Sequence, residues 1–376
     1  MRHRTAADST LTFWRLVVAI VSTMALAVSA PSASPADLRV PERLSDAQFS
    51  HLMTEFSEGD GYFASDNLVS NELTFQWVIP DLLKAWTNGR AYVGVGPDQN
   101  FTYIANLRPS VAFIVDIRRD NLRLQLLYKA LMEMAPSRVE FLSRLLSREL
   151  TSPVPADASA ARLFQAFAEV KPTVDRFAAT FTAVKERLTV QHGLLLSEDD
   201  LGHIEYVLTA FYYAGPSLAY ANTGFRGRYP SYQDLMVATD EAGDARSYLA
   251  DEQRYGVVRQ MQLRNLIVPV VGDFTGTRAL RGVGQWLKDH GATVGAIYTS
   301  NVEQYLFQYQ TWPRYYENVA TLPIDDASLF IRSCFNTCST VPWSRSAQLL
   351  DPVAALLRDV AAGKVQSYWE LLARSR

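Results

Sequence analysis

The sequence predicts an α/β domain built on a doubly wound, mostly parallel sheet and interrupted by a large helical insertion. Three observations predict it. Short, unbroken apolar runs recur between turn residues, as strands buried on both faces require. Stretches of helical apolar spacing lie between them, giving the order strand, helix, strand, helix. The first apolar run ends in Gly94-Val95-Gly96-Pro97, a tight turn that opens into a helix.

Taken in order, a short helix is expected over Asp46–Phe56, followed by a polar loop from Gly59 to Glu72. Leu73–Trp86 is apolar on a helical period. Ala91–Val95 reads as the first buried strand, Gln99–Leu107 as a helix and Val111–Ile117 as the second strand, with Pro109 breaking the chain between them. Residues 120–134 carry Leu124, Leu127, Leu131 and Met134 as one apolar stripe. A further helix runs from Pro136 to about Leu150. The strand rhythm then stops, and residues 151–262 read as a helical insertion over the sheet or beside its active edge. It resumes with a strand at Leu266–Val271, a helix over Thr277–His290 stopped by Gly291, and a strand at Val294–Thr299. Residues 302–310 read as helical, Ser328–Ser333 as a strand, and 347–361 and 365–374 as two closing helices.

The first residues have a different character. Arg2, His3, Arg4 and Arg15 precede 15 uncharged residues, Leu16–Ala30, and Ala25-Leu26-Ala27 supplies a small-residue cleavage site. This is the layout of a secretory signal peptide over residues 1–27. The run is short of the roughly 20 residues a spanning helix needs, so contact with the membrane is expected only during export, to the periplasm or beyond. Residues 28–44, rich in Pro, Ser and Ala, follow as a linker, and residues 45–376 form the domain. Apolar residues make up 48% and charged residues 20% of the chain, which excludes wholesale disorder. The formal charge is −3 and no basic run occurs, which argues against a nucleic-acid partner. The two cysteines, Cys334 and Cys338, are either bridged across a tight loop or free; no nearby His or Cys completes a metal site.

In doubly wound sheets, ligands bind beyond the carboxyl ends of the strands. Gly94 and Gly96, Asp116, Asp273, and Ser300 with Asn301 occupy those positions. Glycine after the first strand lets backbone approach a ligand, and the helix start behind it offers free N–H groups. Asp116, 20 residues beyond Gly96, can accept the hydroxyls of a ribose. A tight βα turn with Asp116 capping its own helix is the plainer account of the same residues. The loop bearing Asp60, Asp66, Asn67, Asn71 and Glu72 is either a substrate wall or a solvated connector. Asn301 and Glu303 are candidate catalytic groups, an amide acceptor and a general base; helix capping is the plainer role for Ser300 or Asn301.

The order Gly-Val-Gly, Val-Asp and later Gly-Asp resembles the Rossmann-type class I S-adenosylmethionine-dependent methyltransferases. The wider pattern, with Tyr62-Phe63 and Ser65-Asp66-Asn67 ahead of the domain and Val270-Val271-Gly272-Asp273-Phe274 later, also resembles an uncharacterised bacterial methyltransferase-like family of exported proteins. That resemblance implies S-adenosylmethionine as cofactor, with Gly94 and Gly96 at its methionine part, Asp116 at its ribose and Asp273 at its adenine. Three departures stand out. Tyr92 replaces an acidic residue two positions before the first glycine, Asp98 takes the third glycine position, and Ser300-Asn301-Val302-Glu303 lacks the prolines common in methyltransferases acting on nitrogen. The expectation is an exported protein that binds this nucleoside-type ligand and transfers methyl to an acceptor. The alternative is a non-catalytic protein binding a ligand or partner on the same frame, favoured by export away from cytoplasmic cofactor. Gln99 at the last glycine position argues against a nicotinamide-dependent oxidoreductase.

Overall fold

Among the described residues six strands form a single sheet, in the spatial order third, second, first, fourth, fifth and sixth of the chain. A computed structural model of the chain describes residues 39–220, 229–336, 338, 341 and 344–375. The expected signal peptide and most of the linker lie outside the described residues. Strands β1 (Ala91–Gly94), β2 (Ala112–Asp116), β3 (Ile267–Val271), β4 (Val294–Ser300) and β5 (Leu329–Phe335) run parallel, and β6 (Ser346–Pro352) runs antiparallel against β5. The expected α/β architecture with a mostly parallel sheet is therefore present. Every residue of β1, β2 and β3 is buried, which is why these strands read as continuous apolar runs and not as alternations. The winding reverses between β1 and β4.

Helices α1 (Asp46–Glu55), α2 (Ile79–Ala85), α3 (Gln99–Leu107), α4 (Arg119–Met134) and α5 (Arg138–Leu145) follow the expected sequence of elements. Only the second half of Leu73–Trp86 is helical, with turns over 73–78; Pro80 sits in the first turn of α2, where a missing N–H costs nothing. The insertion contributes α6 (Ala160–Ala168), α7 (Val174–Glu186), α8 (Glu198–Ala214) and α9 (Tyr232–Val237). It does not lie directly on the sheet. Helix α8 packs on α4, which itself covers β2 and β3, so this part of the insertion is an outer layer, while Tyr220, Pro230 and Asp234 of the same insertion stand beside the expected active edge of the sheet. Asp200 of α8 locks this contact by accepting from Arg119 and Arg123 of α4, at 2.7 and 2.9 Å. Helix α10 (Glu252–Leu263) leaves the insertion and returns to α3 and α4.

Helices α11 (Ala279–Asp289), α12 (Val302–Gln308), α13 (Trp312–Val319), α14 (Val353–Ala361) and α15 (Tyr368–Arg374) complete the chain. Two elements differ from expectation. Helix α13 was not foreseen; Pro313 lies in its first turn. Residues 347–352 belong to β6 and not to a helix. Among the described residues no helix is long and apolar enough to cross a membrane.

The sheet's far edge is held by a buried ionic cluster. Arg332 of β5 donates to both oxygens of Glu303, at 2.7 and 3.2 Å, and to Asp351 of β6 at 3.0 Å. Arg374 closes the cluster from α15. Burial alone would lower the Arg332 pKa, but the Glu303 carboxylate reverses this and keeps it above its ordinary value. Removing one partner leaves a buried charge poorly compensated. Glu303→Ala is therefore expected to destabilise the fold by about 3–5 kcal/mol, read as a lowered urea midpoint with unchanged m-value.

Candidate active-site cleft

A cleft of about 860 Å³ opens at the carboxyl ends of β1, β2, β3 and β4, where the winding reverses. Its size lies within the range of small-molecule sites. Gly96, Asp116, Asp273, Asn301, Asn67 and Asn71 all line it. Gly94, Asp66 and Glu303 do not.

The glycine turn is shaped from within. Gly96 has φ +82° and would present an added Cβ to open space, so its backbone lies bare beside the cleft. Gly94 does a different job: a Cβ there would fall 2.0 Å from Asn100 Oδ1. That space is needed because Asn100 Nδ2 donates to the carbonyls of Val95 and Pro97, at 2.9 and 2.8 Å. Tyr92, the residue that departs from the acidic pattern, donates its hydroxyl to Asn100 Oδ1 at 2.8 Å. Gln125 donates to the Gly96 carbonyl at 3.0 Å. No side chain caps the start of α3.

Asp98 is fully buried beneath this turn, away from the cleft. Its carboxylate, at the third glycine position, therefore does not face the cleft. Its Oδ2 accepts from Tyr248 at 3.1 Å and its Oδ1 has no partner. Burial pushes its carboxyl up to about 7, with the Tyr248 hydroxyl offsetting only part of that.

Asp116 is buried and tied to Arg118. Its Oδ1 accepts from the Arg118 N–H and Nε at 2.9 and 3.2 Å, while Oδ2 has one long contact, 3.3 Å to Nη2. Oδ2 therefore keeps acceptor capacity toward a ribose. Nη1 of Arg118 reaches on to the carbonyls of Ser65 and Asp66, at 2.9 and 2.6 Å. The pair thus straps the 59–72 loop across the sheet end. Asp66 itself points to α8, accepting from Tyr206 at 2.7 Å. Asp273 folds into its own turn, with Oδ1 accepting from the Thr275 N–H and hydroxyl.

Asn301 occupies the first position before α12 but makes no capping bond with its side chain. Its neighbour Ser300 has φ +51° and Asn67 has φ +47°. Both are strained non-glycine residues on the cleft wall, where such strain tends to collect. Glu303, the general-base candidate, turns inward to Arg332. A buried carboxylate bound by a guanidinium and by Tyr316 and Thr299 has no access to the cleft.

One contributor escaped the sequence reading. Glu58 accepts from the backbone N–H groups of Asp273, Arg278 and Ala279 and so caps α11 from a distant loop. Glu72 is buried at the cleft wall, held by Gln99, Gln348 and Ser300. Aromatic rings form the mouth: Phe63 meets Tyr305 edge to face at 5.5 Å, and Tyr62 is 85% exposed. The bridge between Cys334 and Cys338 is formed, and Phe335 and Asn336 inside that loop line the same rim.

Residues 67–355 match the family of a domain of unknown function, DUF7790. The chain belongs to the DUF7790 family. The matched region contains all six strands, the glycine turn, Asp116, Asp273 and Asn301; Glu58 and Tyr62 lie before it. No curated protein matches the sequence.

The buried Asp98 makes a prediction for DUF7790 stability. Its folded-state pKa lies above the unfolded value near 4, so the native state holds the proton more tightly. Stability from this group is present at low pH and is lost as pH rises from about 4 through 7. Asp98→Asn removes that loss. The stability of Asp98→Asn minus that of wild type is expected to grow by up to about 4 kcal/mol between pH 4 and 8, by urea unfolding; a constant difference would contradict it.

Proposed function

We propose that the cleft binds S-adenosylmethionine and that the protein is an exported methyltransferase acting on a small acceptor. The observation that carries this reading is the meeting of Gly96, Asp116 and Asp273 on one cleft of nucleoside size at the winding reversal. Tyr92 and Asp98, two of the three departures from the methyltransferase pattern, lie beneath the turn and leave the cleft open.

Charge supports the same class of ligand. Glu72, Asp116, Asp234 and Asp273 line the cleft against Arg118 and Arg345, an acidic balance that suits a sulfonium cation. The cofactor would supply an electrophilic methyl carbon. Gly96 and the uncapped start of α3 would receive its carboxylate, Asp116 Oδ2 a ribose hydroxyl, and the Asp273 turn the base. The aromatic mouth excludes water from the reacting atoms. Methyl transfer draws mainly on proximity and alignment, so a cleft that orients two molecules suffices without a dedicated nucleophile.

Calorimetric titration with S-adenosylmethionine and S-adenosylhomocysteine tests the reading. Micromolar binding to wild type, weakened roughly 10- to 100-fold in Asp116→Asn measured below that variant's own unfolding transition, is the expected result. No heat at millimolar ligand would reject it.

A further inference from the structure

Eight carboxylates are buried among the described residues. Six of them sit against a cation: Asp116 on Arg118, Glu133 on Lys129, Asp200 on Arg119 and Arg123, Asp240 on Arg246, Glu303 on Arg332, and Asp351 on Arg332 and Arg374. Asp98 is sealed beneath the glycine turn. Glu72 alone among these eight is buried, without an Arg, Lys or His partner, and part of the cleft wall. Leaving a carboxylate in such a place is costly unless a positive charge arrives with a ligand.

The residues around Glu72 narrow the ligand. Oε2 accepts from Gln99 Nε2 at 2.7 Å and from Gln348 Nε2 at 3.3 Å, while among the described residues Oε1 accepts only from Ser300 Oγ. Gln99 is itself held by Ser70. This fixes the carboxylate and leaves one oxygen with room for one more donor. A guanidinium would need both oxygens for its paired N–H groups. A metal ion would meet amide N–H groups turned toward the same carboxylate. An ammonium needs a single acceptor, and the aromatic residues Tyr298 and Tyr305 line the same cleft, a setting that favours a cation over a neutral group.

We propose that Glu72 recognises the ammonium group of a primary or secondary amine with a flat apolar body, bound in this cleft next to the nucleoside. The proposal deepens the function above by naming the class of the second molecule and rests on it for that role; the amine recognition itself is tested with no nucleoside present. Gln99 and Gln348 are positioning residues that act through Glu72. The left-handed backbone at Ser300 is part of the same device, since it brings the hydroxyl onto Oε1.

The test compares phenethylamine with 2-phenylethanol, equal in shape and differing in charge, by calorimetry on the full chain at neutral pH. Wild type is expected to bind the amine about 10- to 100-fold more tightly than the alcohol, the discrimination a charged hydrogen bond supplies. Glu72→Gln, checked by its thermal unfolding, is expected to bind the two alike. Gln348→Lys provides a second variant, because an internal ammonium beside Glu72 should erase the preference while keeping the carboxylate. Equal binding of the two ligands to wild type, no binding of the amine, or a preference that survives in both variants would overturn the proposal. Loss of S-adenosylmethionine binding with amine preference intact would overturn only the cofactor reading.

Discussion

Between β1 and β4 the sheet changes the direction in which it winds, and the loops after these two strands must part. A gap at the carboxyl ends is the geometric consequence. Left alone, that gap would expose loose backbone at the ends of fully buried strands. In this molecule the loops after β1, β2 and β3 are each pinned by a polar side chain. Asn100 holds the carbonyls after β1, Arg118 ties the 59–72 loop to Asp116 after β2, and Glu58 caps α11 after β3. The cleft stays open because these bonds are satisfied within its walls and do not reach across it.

Much of this frame was legible in the chain. Strands β1 to β5 are parallel and mostly buried, so their sequences are short apolar runs that need no partner to be recognised. The antiparallel edge strand β6 is different. Ser346-Ala347-Gln348-Leu349-Leu350-Asp351 mixes helix formers with polar residues, and only pairing with β5 makes it a strand. At the site, Gly96, Asp116 and Asp273 were legible because strand ends are fixed by the same runs. Glu303 was misplaced because its partner Arg332 lies 29 residues away in sequence. Helical spacing alone gives no sign that the carboxylate turns inward. Glu72 was legible as part of a wall loop, but its partners, and the role of Glu58, were hidden for the same reason: they depend on donors 27 to 276 residues distant.

Tyr92, which departs from the methyltransferase pattern, and Gln99, which departs from the nicotinamide one, belong to one connected set. Tyr92 supports Asn100, Asn100 shapes the turn that Gly94 makes room for, and Gln99, standing where a last glycine would be expected, holds Glu72. Each would weaken a resemblance counted position by position. Together they describe a turn whose rigidity comes from side chains instead of glycine alone, and a carboxylate built into the cleft wall by the same helix start.

The central claim is that a nucleoside sits at this reversal against Asp116. A crystal structure of the protein grown with S-adenosylhomocysteine tests it most directly. The account predicts the ribose within hydrogen-bond distance of Asp116 Oδ2 and the ligand carboxylate beside Gly96. Ligand bound elsewhere, or a cleft that holds none of it at saturating concentration, would contradict the account.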